Sequence, residues 1–538
     1  MGVVHRAQRE VLRGPLSRRL ALFGALIALV ALVASCSRAR DAATLRLTLT
    51  SEPATIDPSK ATDVASFVVV SNLFEGLTRY DDALEVQPAV ASSWDFDDDM
   101  RRITFHLRED ALWSDGRPVV ADDFVYAWRR LVDPETAAEY AYFIYDVAGA
   151  EAVNSGEAPV ESLGVRALDD HTLEVDLVRS APWFPHVTTF MSTFPLRQDV
   201  VEAHPLAWTE PEHLVSNGPF RLAEWQHDAV LRLERSATYH LAPVTLAAAE
   251  LLVVRQANTA WSLYETGDVD VVLELLPLAI PSVRDRSDYV NLATLESRYV
   301  GFHLDTPPLD DLRVRRALVR AIDRTEVTRV LGGGERPLSS FLPPGMFGHA
   351  PDIGLTFDPE AAQADLAAAG YPGGDGFPEL ELLYRSGDDW RLQAENLQDQ
   401  WRRNLGIGVQ VVVHDQAAFF RRIADEPPPM HLARWIADFP DPENFMSLFT
   451  SGAGNNHLGF ADDEYDRLVD TAATTREPGA RRDAYDRTQR LLIEDHVAIA
   501  PVYAGATNAM IRPNVRGLSL NAMGVVYLRD VSIDAGAP

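Results

Sequence analysis

The sequence contains a single cysteine, Cys36, and a single lysine, Lys60, among 538 residues. One thiol cannot form an internal disulfide, so large hydrophobic cores must hold the fold together. A nucleotide-binding P-loop needs a glycine-rich loop before its lysine, and Lys60 has none. These two absences exclude a disulfide framework and argue against both cysteine catalysis and NTPase activity.

Other catalytic signatures are missing as well. No G-x-S-x-G elbow occurs, which argues against an α/β-hydrolase. The 14 histidines are scattered, and His204 and His213 lack the i, i+4 spacing that turns two imidazoles toward one metal. The 79 acidic residues make any chosen carboxylate pair uninformative about a glycosidase. We therefore predict no catalytic site, no resident metal and no cofactor, with an exported carboxylate-pair hydrolase as an alternative that no motif supports.

Positive charge is scarce overall, since 49 basic residues face 79 acidic ones and the formal net charge is −30. A surface this acidic repels the phosphates of nucleic acids and of anionic lipids. The hydrophobic content of 46% is ample for large cores, and the length of 538 residues indicates two or three lobes. The composition predicts a globular protein that does not bind nucleic acid.

The N-terminal segment has the order of an export signal. A basic region is followed by the uncharged run "LALFGALIALVALV" (20–33) and then by "ASC". The run is shorter than the ~20 residues of a membrane span. Because "VASC" resembles a bacterial lipobox, we predict a lipoprotein signal peptide at 1–35 and lipidation of Cys36. The alternative is an uncleaved anchor helix, and both interpretations place the bulk of the chain outside the cytoplasm.

Hydrophobic periodicity in the remaining chain indicates mixed α/β structure. "TLRLTLT" (44–50) alternates apolar and polar residues, which predicts a half-buried strand. "PPLDDLRVRRALVRAIDR" (307–324) has a helical period behind a cap at Asp310 or Asp311. Three further strands are predicted at 101–110, 171–178 and 409–415. No long linker separates these elements, so the lobes are expected to be interwoven.

Eight sequence blocks occur in series along the chain. They are "SNLFEGLTRYDD" (71–82), "SWDFDDD" (93–99), "TFHLREDALWSDGRPVVADDFVYAWRRLVDP" (104–134), "LGVRALDDHTLEVDL" (163–177), "NGPFRLAEW" (217–225), "PPLDDLRVRRALVRAIDR" (307–324), "WRRNLGIGV" (401–409) and "ADFPDPENF" (437–445). Together they resemble the extracytoplasmic oligopeptide- and dipeptide-binding proteins of ABC importers. The resemblance covers nearly the whole mature chain.

This resemblance implies a bilobal α/β fold of the periplasmic-binding-protein type, whose hinge closes two lobes over an extended peptide, in the large form with an extra inserted subdomain. It implies a discontinuous lobe I at 36–80, 200–300 and 505–538, an inserted subdomain at 81–199 and lobe II at 301–504. The implied partners are a peptide, permease subunits with a cytoplasmic ATPase, and the membrane through a lipid on Cys36. The protein is expected to act as a monomer.

The resemblance also implies specific ligand contacts. In the family, the aspartate after a tryptophan-containing strand binds the peptide's α-ammonium, and the matching residue of "RWIADF" is Asp438. Its alternative role is to cap the turn of "FPDPENF". Val64, just before a helix expected at "LFEGL", matches a position whose backbone pairs with the peptide. Tyr140 would line the cleft and Trp435 would wall its first pocket, with core packing as the alternative for both aromatic residues.

Recognition of the peptide's C-terminus is the least matched feature. Asn456 and His457, in "GNNHLGF" (454–460), match positions near the ligand, and Arg434 fits an expected arginine only with a one-residue gap. The departures from the family pattern are Ala417 at an expected tryptophan and Ala424, Asp425 and Trp390 at expected basic residues. Arg385, Arg391 or Arg434 could bind the carboxylate in their place, with a solvated surface role as the alternative. These departures leave open a non-peptide solute such as a metal chelate or sugar.

Overall fold

The computed structural model describes residues 44–241, 243–275 and 279–534. The predicted signal peptide at 1–35 and the predicted lipid site at Cys36 lie outside the described residues. Within the described part of the chain, no helix is both long and apolar enough to cross a membrane.

The described chain is a mixture of strands and helices, as the sequence predicted. The strands are β1 Thr44–Leu49, β2 Thr78–Tyr80, β3 Val86–Pro88, β4 Ala91–Phe96, β5 Arg102–Leu107, β6 Val165–Asp169, β7 Thr172–Asp176, β8 Phe220–Gln226, β9 Val230–Arg235, β10 Ala248–Val253, β11 Val271–Val272, β12 Tyr289–Phe302, β13 Arg336–Pro337, β14 Leu380–Arg385, β15 Val409–His414, β16 Met430–Ile436, β17 Ile499–Ile511, β18 Val515–Arg516, β19 Ser519–Leu520, β20 Val526–Tyr527 and β21 Ser532–Ile533. The α-helices are α1 Val64–Leu73, α2 Ala121–Val132, α3 Ala150–Asn154, α4 Phe184–Val187, α5 Gln198–Ala203, α6 Ala257–Thr266, α7 Ile280–Val283, α8 Leu312–Arg320, α9 Arg324–Leu331, α10 Pro359–Ala368, α11 Asp388–Leu405, α12 Gln416–Asp425, α13 Glu443–Met446, α14 Asp463–Thr474 and α15 Pro478–Arg490.

One mixed sheet of eleven strands runs through the molecule in the order β15-β14-β16-β12-β17-β11-β1-β10-β9-β8, with β13 beside β17. We call β8, β9, β10, β1 and β11 the first half of the sheet, and β14, β15 and β16 the second half. The long strands β12 and β17 pair with each other between these halves, from Tyr289↔Met510 to Gly301↔Ile499, with a register shift between Ala293 and Ser297. Two strands therefore connect the halves side by side.

The pairing of β12 and β17 bears on the predicted lobe boundaries. The boundary predicted at 300 falls inside β12, and the one predicted at 505 falls inside β17. A β-bulge bends the strand that carries it, and the register shift between Ala293 and Ser297 is an irregularity of this kind. The boundaries of lobe I, the inserted subdomain and lobe II stay predictions.

A separate antiparallel sheet, β4-β5-β7-β6, lies within the segment predicted as the inserted subdomain. Its apolar side chains Ile103, Phe105, Leu173 and Val175 are fully buried in the large core cluster that also contains Trp128 of α2. The sequence predicted β5 and β7 from their alternation, and both strands are confirmed.

Two local predictions need correction. The strand β1 is buried on both faces, because it lies between β10 and β11 inside the sheet, and even Thr44 and Thr48 are buried. The helix expected at "LFEGL" instead ends at Leu73. Gly76 then packs so tightly that an added Cβ would lie 2.5 Å from the Thr188 carbonyl oxygen. Because of this close contact, no residue with a side chain fits at position 76, and the helix does not continue through it.

The cap of α8 is resolved in favour of Asp311, whose side chain accepts a hydrogen bond from the Arg313 amide at 2.8 Å. Removing such a cap costs about 1 kcal/mol of helix stability. We expect Asp311→Ala to make amide hydrogen exchange in the first turn of α8 about five times faster. Asp310→Ala, at an exposed neighbouring aspartate, is the matched control and should leave exchange unchanged. Equal protection in both variants would show that Asp311 does not stabilise the helix.

Candidate ligand-binding site

A cavity of about 490 Å³ lies between the two halves of the main sheet. Its walls include Thr48 and Leu49 of β1 on one side and Arg434 and Ile436 of β16 on the other. The charged residues that line it are Glu274, Glu296, Arg434 and Asp438, and the aromatic ones are Phe67, Tyr80, Tyr140, Phe190 and Tyr527. The volume is in the range of small-molecule sites, ~300–1,000 Å³.

Asp438 is the most unusual charged group of this cavity. It follows the end of β16 and is half-buried, and among the described residues its carboxylate contacts no arginine, lysine or histidine. Within the described part of the chain, the one side-chain group that hydrogen-bonds to this carboxylate is the Asn444 amide, which donates to Oδ2 at 3.3 Å. Burial raises the pKa of this carboxyl to about 6, and the hydrogen bond from Asn444 partly opposes that shift. A half-buried carboxylate that has no cationic partner among the described residues is stabilised in its ionised form when a positively charged group binds beside it.

Hydrogen bonds around Asp438 also fix the orientation of its side chain. Its own amide donates to Asn444 Oδ1 at 3.0 Å, and the Trp435 indole donates to the same oxygen at 3.0 Å. Since side chains alternate along a strand, Arg434, Ile436 and Asp438 share the cavity face. Trp435 is not among the cavity-lining residues and packs, partly buried, against a core cluster that contains Leu295 of β12 and Phe445 of α13. In this arrangement Trp435 holds Asn444, and Asn444 orients Asp438.

Tyr140 and Val64 line the cavity, as their predicted roles require. The Tyr140 ring packs on Phe190 with centroids 5.0 Å apart and stacks on Tyr142 at 5.7 Å. Burial, with the nearby charge of Asp438, raises the pKa of the Tyr140 phenol to about 12. Val64 is 70% exposed and is the first residue of α1, where backbone amides lack partners within the helix. The Val64 amide is therefore one of the backbone groups at the start of α1 that could meet a ligand.

Asn456 and His457 do not line the cavity. The Asn456 amide is used within its own loop, where it donates to the carbonyl oxygens of Phe449, Thr450 and Phe460. His457 lies near His431, at the other end of β16 from Asp438. Seven residues of extended chain separate His431 from Asp438, which is roughly 23 Å. Their assignment as ligand contacts stays a prediction.

The sequence matches one known protein family over more than half of its length. Residues 85–457, well over half of the chain, match the family model described as bacterial extracellular solute-binding proteins, family 5 Middle. The chain belongs to this family. The prediction of a solute-binding protein of ABC importers is thereby confirmed.

Individual relatives extend the match over almost the whole chain. The oligopeptide-binding protein OppA of Bacillus subtilis (strain 168) is 28% identical over 503 residues, which cover 90% of this family 5 chain and 92% of that protein. The periplasmic murein peptide-binding protein MppA of Escherichia coli (strain K12) is 32% identical over 497 residues, with coverage of 90% and 91%. The unliganded open form of the murein tripeptide-binding protein MppA has a TM-score of 0.81 at 31% identity and covers 91% of this chain and 97% of that one. The bilobal α/β fold is confirmed.

Three polar residues on or beside the central strands were not predicted from the sequence as cavity residues. Glu296 and Thr294 of β12 and Glu274 near β11 line the cavity of this family 5 protein. Alternation along 289–302 places 294 and 296 on one face, but it does not indicate which face meets the cavity. Only the pairing of β12 with β16 and β17, strands more than 100 residues away in sequence, turns that face toward Asp438.

Two histidines that are separated in the sequence lie in contact in the structure. His204 and His213 stack with ring centroids 3.7 Å apart, although their separation of nine residues gave no sign of contact. Over residues 44–241, 243–275 and 279–534, no group of three or more His, Cys, Asp or Glu side chains is arranged to hold a metal ion.

The role of Asn444 in orienting Asp438 can be tested directly. Asn444→Ala removes the hydrogen bond to the carboxylate; such bonds to charged groups contribute about 1.5–3 kcal/mol at ideal geometry, and at 3.3 Å we expect about 1 kcal/mol. We expect peptide affinity, measured by titration calorimetry, to fall about threefold to fivefold. The pKa of Asp438 should also rise further, which a purely structural role would not produce. Asn455→Ala, on the exposed part of the neighbouring loop, should change neither quantity.

Proposed function

We propose that this family 5 protein captures short peptides outside the cytoplasm and delivers them to the permease of an ABC transporter. The observation that carries the proposal is the half-buried Asp438 carboxylate, which faces the cavity without a cationic partner among the described residues. A peptide's α-ammonium supplies the missing charge and forms a charge-assisted hydrogen bond with it. Asp438 then fixes the peptide's register without reading side chains.

The other cavity residues fit a peptide backbone. Val64 offers a backbone amide at the start of α1, which can pair with an extended chain regardless of its side chains. Tyr140 provides an apolar face beside Asp438 and, with its raised pKa, a neutral hydroxyl. The named relatives OppA and MppA are peptide-binding proteins, which favours a peptide over a non-peptide solute.

Closure of the two lobes provides the signal for transport in this proposal. Arg179, in the segment 81–199, donates to Glu443 at 3.1 Å and to Asp146 at 2.7 Å, and so connects that segment with the segment 301–504. The Phe143 and Phe439 rings meet across the same boundary with centroids 6.3 Å apart. A peptide held between Val64 and Asp438 contacts both sides at once, so it stabilises the closed form by its differential affinity for it. The permease then recognises that form, and a cytoplasmic ATPase drives release.

The proposal includes a lipid anchor at Cys36, a signal peptide at 1–35 and action as a monomer. The support for the signal peptide and the lipid anchor is the "VASC" motif after a short apolar run. Mass spectrometry of the protein isolated from membranes tests the anchor. An acylated N-terminal peptide beginning at Cys36 is expected, and an unmodified N-terminus at any other residue would contradict it.

Binding without turnover is the direct test of the proposed function. The purified protein is incubated with a pool of di- to pentapeptides, separated from free peptide, and the retained peptides are released and identified by mass. Intact peptides with free N-termini are expected. Recovery of cleaved products would instead support an exported hydrolase.

A further inference from the structure

The turn between β16 and α13 carries three carboxylates, and each of them faces a different neighbour. Asp438 lines the cavity. Asp441 is bound within its own segment, because Arg481 of α15 donates to both of its oxygens at 2.8 Å. Glu443, the first residue of α13, accepts a hydrogen bond from Arg179 at 3.1 Å. The Glu443 contact therefore links this turn to the predicted inserted subdomain.

Arg179 is held in place from its own side of that boundary. Its Nε donates to Asp146 at 2.7 Å, and its guanidinium carbon lies 5.0 Å from the centre of the Trp183 ring. The Trp183 indole in turn donates to the other oxygen of Asp146 at 3.2 Å. A guanidinium fixed in this way loses little conformational entropy when it also binds Glu443. Arg179 is thus preorganised for the contact across the boundary.

Glu443 depends on this contact for its only positive partner. Its side chain is buried, and among the described residues Arg179 is the one cation paired with its carboxylate. Burial raises the pKa of Glu443 to about 7, and the positive charge of Arg179 opposes that rise. Loss of Arg179 would leave a buried carboxylate unpaired, which favours arrangements of the turn that bring the carboxylate to water.

The turn connects Glu443 to Asp438 through the next residue, Asn444. The Asn444 side chain accepts a hydrogen bond from the Asp438 amide at 3.0 Å and donates to the Asp438 carboxylate at 3.3 Å. Phe439, directly after Asp438, meets the Phe143 ring of the inserted subdomain with centroids 6.3 Å apart. Because Glu443 and Asn444 are adjacent in α13, a shift of Glu443 moves the group that orients Asp438.

We propose that Arg179 is a positioning residue for peptide binding, whose ion pair with Glu443 holds the turn so that Asp438 meets the peptide's α-ammonium. The inference rests on the proposed function and adds to it a pair of residues outside the cavity, since neither Arg179 nor Glu443 lines it. The coupling is reciprocal. A bound peptide stabilises the Arg179–Glu443 pair by the same free energy by which the pair stabilises the bound peptide.

The test is titration calorimetry of the purified full chain with tri-alanine at pH 7.5, where the Glu443 carboxyl and the peptide α-ammonium are mainly charged. We expect Arg179→Gln and Glu443→Gln each to weaken binding about fivefold. The double variant should bind no more weakly than the weaker single variant, because both changes break the same pair. Arg179→Lys keeps the positive charge and should recover at least half of the lost affinity.

Arg102→Gln is the matched control. Arg102 pairs with Asp176 at 2.7 Å within the sheet β4-β5-β7-β6, away from the boundary, and its side chain is 48% exposed against 43% for Arg179. This variant should bind tri-alanine as the unchanged protein does. Unchanged affinity in Arg179→Gln, or effects of the two single variants that simply add in the double variant, would show that the pair does not position Asp438.

Hydrogen exchange of the unchanged protein provides a measurement that needs no variant. Saturating tri-alanine should slow amide exchange in α13 and around Arg179, because peptide binding and the ion pair stabilise each other. Unaltered exchange at both places would overturn the coupling. If tri-alanine binds Arg179→Gln as tightly as it binds the unchanged protein, the positioning role is wrong and the proposed peptide function stands. If neither tri-alanine nor a pool of di- to pentapeptides binds the unchanged protein, both are wrong.

Discussion

Asp438→Asn is expected to weaken the binding of free peptides thirtyfold or more in titration calorimetry. Truncating one partner of a buried charge pair typically costs ~2–5 kcal/mol, and ~1.4 kcal/mol is tenfold in affinity. Asparagine keeps the size of the side chain but cannot carry the negative charge that the peptide ammonium requires. Most of the effect should therefore appear as loss of affinity and not as loss of folding.

Two controls separate binding from folding. Asp483→Asn changes an exposed aspartate of α15 and should leave the affinity unchanged. Burial raises the pKa of Asp438 to about 6, so the ionised carboxylate disfavours the folded state at neutral pH, and its removal should not lower the thermal midpoint. Unchanged peptide affinity in a folded Asp438→Asn variant would disprove the ammonium site.

Peptide affinity is expected to fall about tenfold between pH 7 and pH 5. The ligand ammonium binds only the ionised form of Asp438, and that carboxyl is half protonated near pH 6 in the unliganded protein. Below its pKa, each pH unit lowers the ionised fraction about tenfold. Affinity measured by calorimetry at pH 5, 6 and 7 should trace this titration.

The raised pKa of Asp438 also affects the stability of the fold, and it does so in the direction opposite to its effect on peptide affinity. Between the ordinary carboxyl value of 3.8 and about 6, the folded protein binds more protons at Asp438 than the unfolded chain does. Asp438 therefore makes the unliganded fold more stable as pH falls through this window. In Asp438→Asn the pH dependence of affinity should disappear. A flat affinity from pH 7 to pH 5 in the unchanged protein, or a slope that persists in the variant, would assign the titration to another group.

The site could be predicted from sequence only in part. Asp438, Val64, Tyr140 and Arg434 all line one cavity, although 64 and 438 are far apart in the chain. Trp435 could have been assigned to the other face from strand alternation alone, because it is adjacent to Arg434. The placement of Glu274 and Glu296 in the cavity could not be predicted from the sequence, because it depends on which strands pair across the sheet.

The fold, like the site, could be predicted from the sequence only in part. Period and capping residues predicted β5, β7, β15 and α8, because their signals are local. The burial of both faces of β1 follows from its neighbours β10 and β11, which periodicity does not reveal. Likewise, the end of α1 before Gly76 depends on the close approach of Thr188, more than 100 residues away.

Thermal unfolding with two peptide pools tests the central claim most directly. The purified protein, verified free of co-purified ligand, is heated with mixed di- to pentapeptides and separately with their N-acetylated forms. A ligand at a hundred times its Kd adds ~2.7 kcal/mol of stability, which shifts the midpoint measurably. The account predicts an upward shift with free peptides that acetylation abolishes. An equal shift with both pools, or none with either, would contradict a peptide receptor anchored at Asp438.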